Sequence, residues 1–416
     1  MPQKRITTAS AKALRTAAIA LILVSTAWAA PKYKVLHNFN GADGDGPWGG
    51  VILDRNHSLY GTTASGGTGG CNGYGCGVVF ELRQQPNGKW SEAVLYSFAG
   101  GDDGDGPYGS LILDPSGNLY GTTTAGGNGV YHDGTVFELT PGASGWNESV
   151  LFDFDFYDGA VPYAGVIMGK EGDLYGTTAS SARGGIVFRL TPGSDGWDES
   201  ALYTFSCGKY CRHGAGPDAG AILDAFGNLF GTTEGGGAYN GGTVYELYRT
   251  SSGWTEKVLH SFHLSHSDGN TPGWGSLFMD SSGSLYGTTV GGGCCGGVVF
   301  KLTPESDGRW KETILYNFQS GATGHSPNAG VVMDKSGNLY GTTDYGGDPY
   351  CGCGVIYKLS PGHSGKWTYT VLHEFGLGND GGVPEGNLVM DNKGNLYGGT
   401  VLGGTYGGGV VFELTP

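Results

Sequence analysis

Seven loops of this sequence share the pattern Asp-Gly-x-x-Pro-x-x-Gly, and the residues around them set what chemistry is possible. The Asp position is filled by Asp43, Asp103, Asp158, Asp268 and Asp380, with His213 and Thr323 in the other two loops. The first two loops read DGDGP and add Asp45 and Asp105. Alternating Asp and Gly can gather oxygen ligands for Ca²⁺, which takes six or more oxygens and often a bidentate Glu. No such Glu trails Asp43/Asp45 or Asp103/Asp105. The first reading is therefore a turn made by Asp-Gly and stiffened by Pro, with a Ca²⁺ site as the second. His213, His263, His266 and His325 fall in three successive loops of this set. Neutral imidazoles brought together would suit Zn²⁺ or Cu²⁺. Solvated loop histidines are the plainer alternative.

The position after the loop Pro varies, and that variation is informative. It holds Trp48, Tyr108, Tyr163, Asp218, Trp274, Asn328 and Glu385, the fifth standing two places after its Pro. Flat aromatic faces beside hydrogen-bonding side chains suit a sugar, which has apolar C–H faces and polar edges. The competing expectation is that the rings simply pack on neighbouring loops.

Eight cysteines form four near pairs, Cys71/Cys76, Cys207/Cys211, Cys294/Cys295 and Cys351/Cys353. An even count in an exported chain reads as disulfides. Local pairing is the simplest scheme, and cross-pairing of Cys294/Cys295 with Cys351/Cys353 is its rival. No nucleophile elbow, zinc-protease helix, phosphate loop or dinucleotide fingerprint occurs. Glu92, Glu148, Glu199, Glu256 and Glu312 each follow a Trp by two. They read as solvated charges that guard an outermost strand against edge pairing.

The elements that must position these residues come from an internal repeat. The stretch GNLYGTT recurs with its aromatic at Tyr60, Tyr120, Tyr175, Phe230, Tyr286, Tyr340 and Tyr397, at spacings of 60, 55, 55, 56, 54 and 57. Each unit carries four short β-type runs, such as SLILD, NLYGTT, TVFELT and SVLFDF in the second. Turn residues such as Asp114-Pro-Ser-Gly-Asn118 lie between the first two runs. Four antiparallel strands repeated seven times predict an all-β, seven-bladed β-propeller over residues 30–416. The chain opens on a spare fourth strand, YKVLHNF, and ends on a third, GVVFELTP. Pairing them would close the ring and remove two open edges. The loops linking strand four to strand one, and strand two to strand three, then share a face. The seven positions after Pro ring the mouth of its channel.

The unit GNLYGTT…GG…GTVFELTP…GW…VLYSF…DG..P..G resembles the GloVer tandem repeat of secreted bacterial proteins, over residues 33–416. The resemblance implies secretion and names no activity. The G-x-I-x-D-x-x-G-N-L-Y core is also similar to the inner hairpin of NHL-type propellers, which implies that SLILD lines the channel.

Residues 1–29 read as a Sec signal peptide. Lys4, Arg5, Lys12 and Arg15 precede a short apolar run that ends Ala27-Trp28-Ala29, with cleavage expected after Ala29. Cleavage takes the formal charge from −15 to −19, since it removes four basic residues and no acidic one. That balance argues against nucleic acid, whose binders carry basic patches. No run is long enough to span a membrane. The expected protein is a secreted or periplasmic monomer. Its first reading is a non-catalytic module binding an extracellular glycan or other surface polymer. The alternatives are a structural or protein-interaction propeller, and a metal-assisted hydrolase or lyase using Asp218, Glu385 and loop histidines.

Overall fold

The computed structural model describes residues 30–181, 184–206, 211–264 and 268–416. They form seven antiparallel sheets, one per repeat. The second blade is typical, with strands Ile112–Leu113, Leu119–Thr123, Thr135–Gly142 and Gly145–Asp153 pairing in chain order. The fifth blade adds Gly269–Pro272, which pairs with the same second strand as Phe278–Met279. The last blade takes its outer strand from the opposite end of the chain. Lys32–Asn38 pairs with Val410–Thr415, from Lys32 opposite Thr415 to Asn38 opposite Val410. The ring is thus closed by the spare strand, as the repeat predicts.

The heptad recurs because each residue has a separate task. Its Leu is fully buried, as at Leu59, Leu119 and Leu339. Its Gly leaves room for an aromatic ring: a Cβ on Gly61 would lie 2.6 Å from Cζ of Phe80. Its first Thr ties one blade to the next. Thr62 Oγ1 donates to the Gly109 carbonyl at 3.0 Å, Thr177 to Ala219 at 3.1 Å and Thr288 to Ala329 at 2.9 Å. Its second Thr stays within the blade, where Thr63 Oγ1 donates to the Ser65 carbonyl at 2.8 Å.

The core lies between blades. The Phe ending each outer strand meets the third-strand aromatic of the following blade. Phe98–Phe137, Phe154–Phe188 and Phe262–Phe300 all have ring centroids 5.1 Å apart, in the edge-on range that aromatic pairs prefer. The inner strands are shorter than the five-residue SLILD run, for seven of them crowd the axis. Glycines permit that crowding. A Cβ on Gly109 would overlap the backbone of Gly165, and one on Gly275 the backbone of Gly330.

The repeated glutamates are not the solvated charges expected. Glu92, Glu148, Glu199, Glu256 and Glu312 are each partly covered. In each, Oε1 is buried without a hydrogen-bond partner. Each of these glutamates faces the loop of the neighbouring blade, where Asp43, Asp103, Asp158, His213 and Asp268 stand opposite them in turn. Alternation along the strand does not reveal that cover. Burial pushes Glu92, Glu148 and Glu199 up to about 7.

Candidate channel-mouth site

The inter-blade loop that carries each mouth residue is pinned by backbone pairing to the end of the second strand of its blade. Asp45 pairs with Ser65, Asp105 with Ala125 and Ala215 with Gly235. This pairing fixes where the residue after Pro points. Trp48, Tyr108, Tyr163, Asp218, Trp274 and Glu385, from six blades, line one cavity of about 160 Å³. The inner-strand residues Ile112 and Ile167 line it as well.

The four aromatics touch in a circuit. Centroid separations are 5.4 Å for Trp48–Tyr108, 5.9 Å for Tyr108–Tyr163, 5.3 Å for Tyr163–Trp274 and 6.1 Å for Trp274–Trp48. Tyr163 and Trp274 are stacked, with 11° between their planes. The rings therefore pack on one another. Trp274 remains 38% exposed, so the circuit keeps an accessible face.

The opposite sector is polar. Asn328 joins it to the aromatics: its Oδ1 accepts from the Trp274 backbone N–H at 3.1 Å, and its Nδ2 donates to Glu385 Oε2 at 3.4 Å. Burial pushes the Glu385 carboxyl up to about 7. Asp218 is buried beside Glu234. Burial first, and Glu234 second, holds it well above the usual carboxylate range. Burial, then the Glu385 charge, raises Asp344 well above its ordinary value. Asp344 Oδ1 is buried without a hydrogen-bond partner. Sequence reasoning missed Glu234 and Asp344. Their signal is the residue after the heptad, which is acidic only in blades 4 and 6 and otherwise reads Ala64, Thr124, Ala179, Val290 and Val401.

Larger clefts exist, including one of about 420 Å³ lined by Lys170, Arg189, Arg249 and Trp254 on the hairpins of blades 3 and 4. The mouth is distinguished by convergence of equivalent side chains from successive repeats, not by size.

The other candidate groups are dispersed. His213 Nδ1 lies 2.8 Å from Glu256 Oε2, His263 stacks on Tyr239 at 4.5 Å, and His325 stacks on Tyr345 at 5.5 Å. His266 lies outside the described residues. Asp43 and Asp103 mainly close their own loops. Asp43 Oδ1 accepts from the Asn40 N–H at 2.9 Å and Asp103 Oδ2 from the Ala99 N–H at 2.7 Å. Among the described residues, Asp43 and Asp45 do not form a metal-competent group, nor do Asp103 and Asp105. Asp43 groups instead with His37 and Glu92, and Asp268 with His260 and Glu312.

Cysteine pairing is local where it occurs, in Cys71–Cys76 and Cys351–Cys353. Cys211 is also disulfide-bonded. The other half of that expected pair, Cys207, lies outside the described residues. Cys294 and Cys295 are exposed free thiols, against the expectation that all eight are bridged. Their alternative cross-partners, Cys351 and Cys353, are bonded to each other.

Among the described residues, no helix is long and apolar enough to cross a membrane. No curated protein matches the chain. Solved structures similar to it include the following two. One is a Thermus thermophilus protein assigned as an oxidoreductase (glucose dehydrogenase), at 16% identity and TM-score 0.47, over 93% of this chain and 100% of that one. The other is TolB from Acinetobacter baumannii, at 12% identity and TM-score 0.38, over 62% of this chain and 51% of that one. The model of the Gloeobacter/Verrucomicrobia repeat matches residues 22–182, 128–318 and 295–416. The chain belongs to the Gloeobacter/Verrucomicrobia repeat family.

Proposed function

We propose that this is an exported, non-catalytic binding propeller that takes a terminal sugar ring of a glycan or other surface polymer in its channel mouth. Export through cleavage after Ala29 is part of the proposal. The observation that carries it is the division of one mouth into an aromatic sector (Trp48, Tyr108, Tyr163, Trp274) and a hydrogen-bonding sector (Asp218, Asn328, Glu385). A sugar ring has one surface for each. The volume of about 160 Å³ is below the roughly 300–1,000 Å³ of drug-sized sites. It suits one ring rather than a buried oligomer. Carboxyls raised towards neutrality can donate to sugar hydroxyls as well as accept from them. In their ionised form they disfavour uronic and other acidic sugars.

Hydrolysis is a poorer match. Acid–base catalysis by two carboxyls works when their surroundings push their proton affinities apart. Here burial raises both Asp218 and Glu385. A second reading, docking of a protein on the same loop face, is favoured by one observation. The exposed rings of Tyr131, Phe156 and Tyr157 cluster with centroids 6.4 Å apart.

Tryptophan emission tests the proposal, because two of the mouth rings are indoles. Titration with a panel of neutral, amino and acidic saccharides should give a saturable change with neutral or amino sugars and none with acidic ones. The change should vanish in Trp274→Ala. A flat response across the panel would refute the glycan reading.

A further inference from the structure

Outside the mouth one arrangement recurs at the boundaries between blades 7 and 1, 1 and 2, 2 and 3, and 4 and 5. There the loop Asp that follows an outer strand faces the Glu two after Trp in the next blade. We propose that the boundaries between blades 7 and 1 and between blades 4 and 5 each bind one borderline divalent cation, Zn²⁺ or its like, through His37, Asp43 and Glu92 and through His260, Asp268 and Glu312. This does not depend on the channel-mouth reading.

Geometry supplies the first argument. In each trio the nitrogen and oxygen ligand atoms all lie within 4.8 Å of one another. His37 Nε2 is 3.2 Å from Asp43 Oδ2. His260 Nε2 is 3.6 Å from Asp268 Oδ2 and 3.6 Å from Glu312 Oε1. Zn²⁺–ligand distances of roughly 2.0–2.2 Å imply tetrahedral edges of roughly 3.3–3.6 Å, with three protein ligands leaving a fourth position for water. Satisfaction supplies the second. Glu92 Oε1 and Glu312 Oε1 are buried without a hydrogen-bond partner, and His37 Nε2 and His260 Nε2, also buried, face the carboxylates of their own trios without forming a well-aligned hydrogen bond. Buried polar atoms are normally partnered. Two carboxylates facing one imidazole also carry an excess of negative charge that a cation would offset.

The other boundaries act as internal controls. Between blades 1 and 2, Tyr96 replaces the His, and its hydroxyl donates to Asp103 Oδ2 at 3.0 Å. Between blades 2 and 3 the corresponding residue is Phe152. Glu148 and Glu199 at those two boundaries also have an unpartnered Oε1, but no imidazole joins them. Between blades 6 and 7, His373 Nε2 lies 3.3 Å from Asp380 Oδ2. There Tyr33 takes the Glu position and stacks on His373 at 3.8 Å. Among the described residues, the His–Asp–Glu set is complete at two boundaries. One of them lies where the N-terminal strand closes the ring, so the ion would pin that strand to blade 1.

The test is zinc stoichiometry and melting temperature of the full chain, stripped with chelator and then titrated with Zn²⁺. It uses a Cys294→Ser/Cys295→Ser background, so that the adjacent free thiols do not compete. The expected result is two Zn²⁺ per chain with a raised melting temperature. His260→Ala should hold one, His37→Ala/His260→Ala none, and His373→Ala still two. Cobalt in place of zinc should show visible bands of nitrogen and oxygen ligation. Should the alanine variants fail to fold, Glu92→Gln/Glu312→Gln preserves side-chain size and should also lose both ions. Fewer than two ions in the parent, or two ions retained in a folded double variant, would overturn the proposal.

Discussion

Trp274 is the mouth residue that combines contact with exposure. It stacks on Tyr163, yet more than a third of its surface is free. Trp274→Ala should therefore weaken saccharide binding by roughly tenfold or more, about 1.4 kcal/mol or above. Its melting temperature should fall little, because the residue is not in the core. Calorimetric titration beside a thermal melt checks both halves. The aromatic and polar ring was legible in the sequence because one register, the position after Pro, carries it through six of the repeats, with Trp274 one place further on in the fifth. Glu234 and Asp344 were not legible. They reach the same region from the far end of the second strand, and only the folded pairing of loop and strand brings the two positions together. The buried glutamates were misread for a related reason. Period-two alternation tells which side of a strand a residue takes, not whether another blade covers that side.

At the scale of the strand, the heptad's first Thr fastens neighbouring blades. Thr288→Val removes the hydroxyl that donates to the Ala329 carbonyl and keeps the side chain's shape. Leaving that buried carbonyl short of a donor should cost about 1–3 kcal/mol, read from denaturant unfolding. Thr63→Val, whose hydroxyl serves its own blade, should cost a similar amount with a different signature. The loss should appear in hydrogen exchange of the second and third strands of blade 1, not at the blade boundary. The order and pairing of the strands were readable from the repeat, because the hairpin turns and apolar runs are local signals. The brevity of the inner strands was not, since it arises from seven chains converging on one axis.

The outer boundaries also govern how stability varies with pH. Glu148 and Glu199 have folded-state values raised to about 7, from an ordinary 4.5, chiefly by burial. A group raised in this way favours the folded state most when protonated. Its contribution is present below the ordinary value and is lost as pH rises through about 7. The melting temperature should therefore be lower at pH 8 than at pH 5.5. Glu148→Gln/Glu199→Gln should flatten that slope. A slope unchanged by the double substitution would remove these groups as its cause.

The whole molecule depends on the pairing of Lys32–Asn38 with Val410–Thr415. Phe39 follows that strand, is fully buried, and meets Phe80 of blade 1 at 5.0 Å. Phe39→Ala should cost about 3–5 kcal/mol, and deletion of residues 32–38 should abolish a single cooperative transition by opening the ring at both edges. Differential scanning calorimetry distinguishes these outcomes. A deletion variant that still melts in one sharp transition would show that the remaining blades do not need closure.

Closure matters to function because it holds seven loops at one mouth, and the central claim is that this mouth binds a sugar. The most direct measurement is a glycan-array comparison of the protein and its Trp274→Ala variant under the same conditions. The account predicts saturable binding to glycans ending in neutral or amino sugars, lost in the variant. Binding that survives the substitution undiminished, or an array on which neither protein binds, would contradict it.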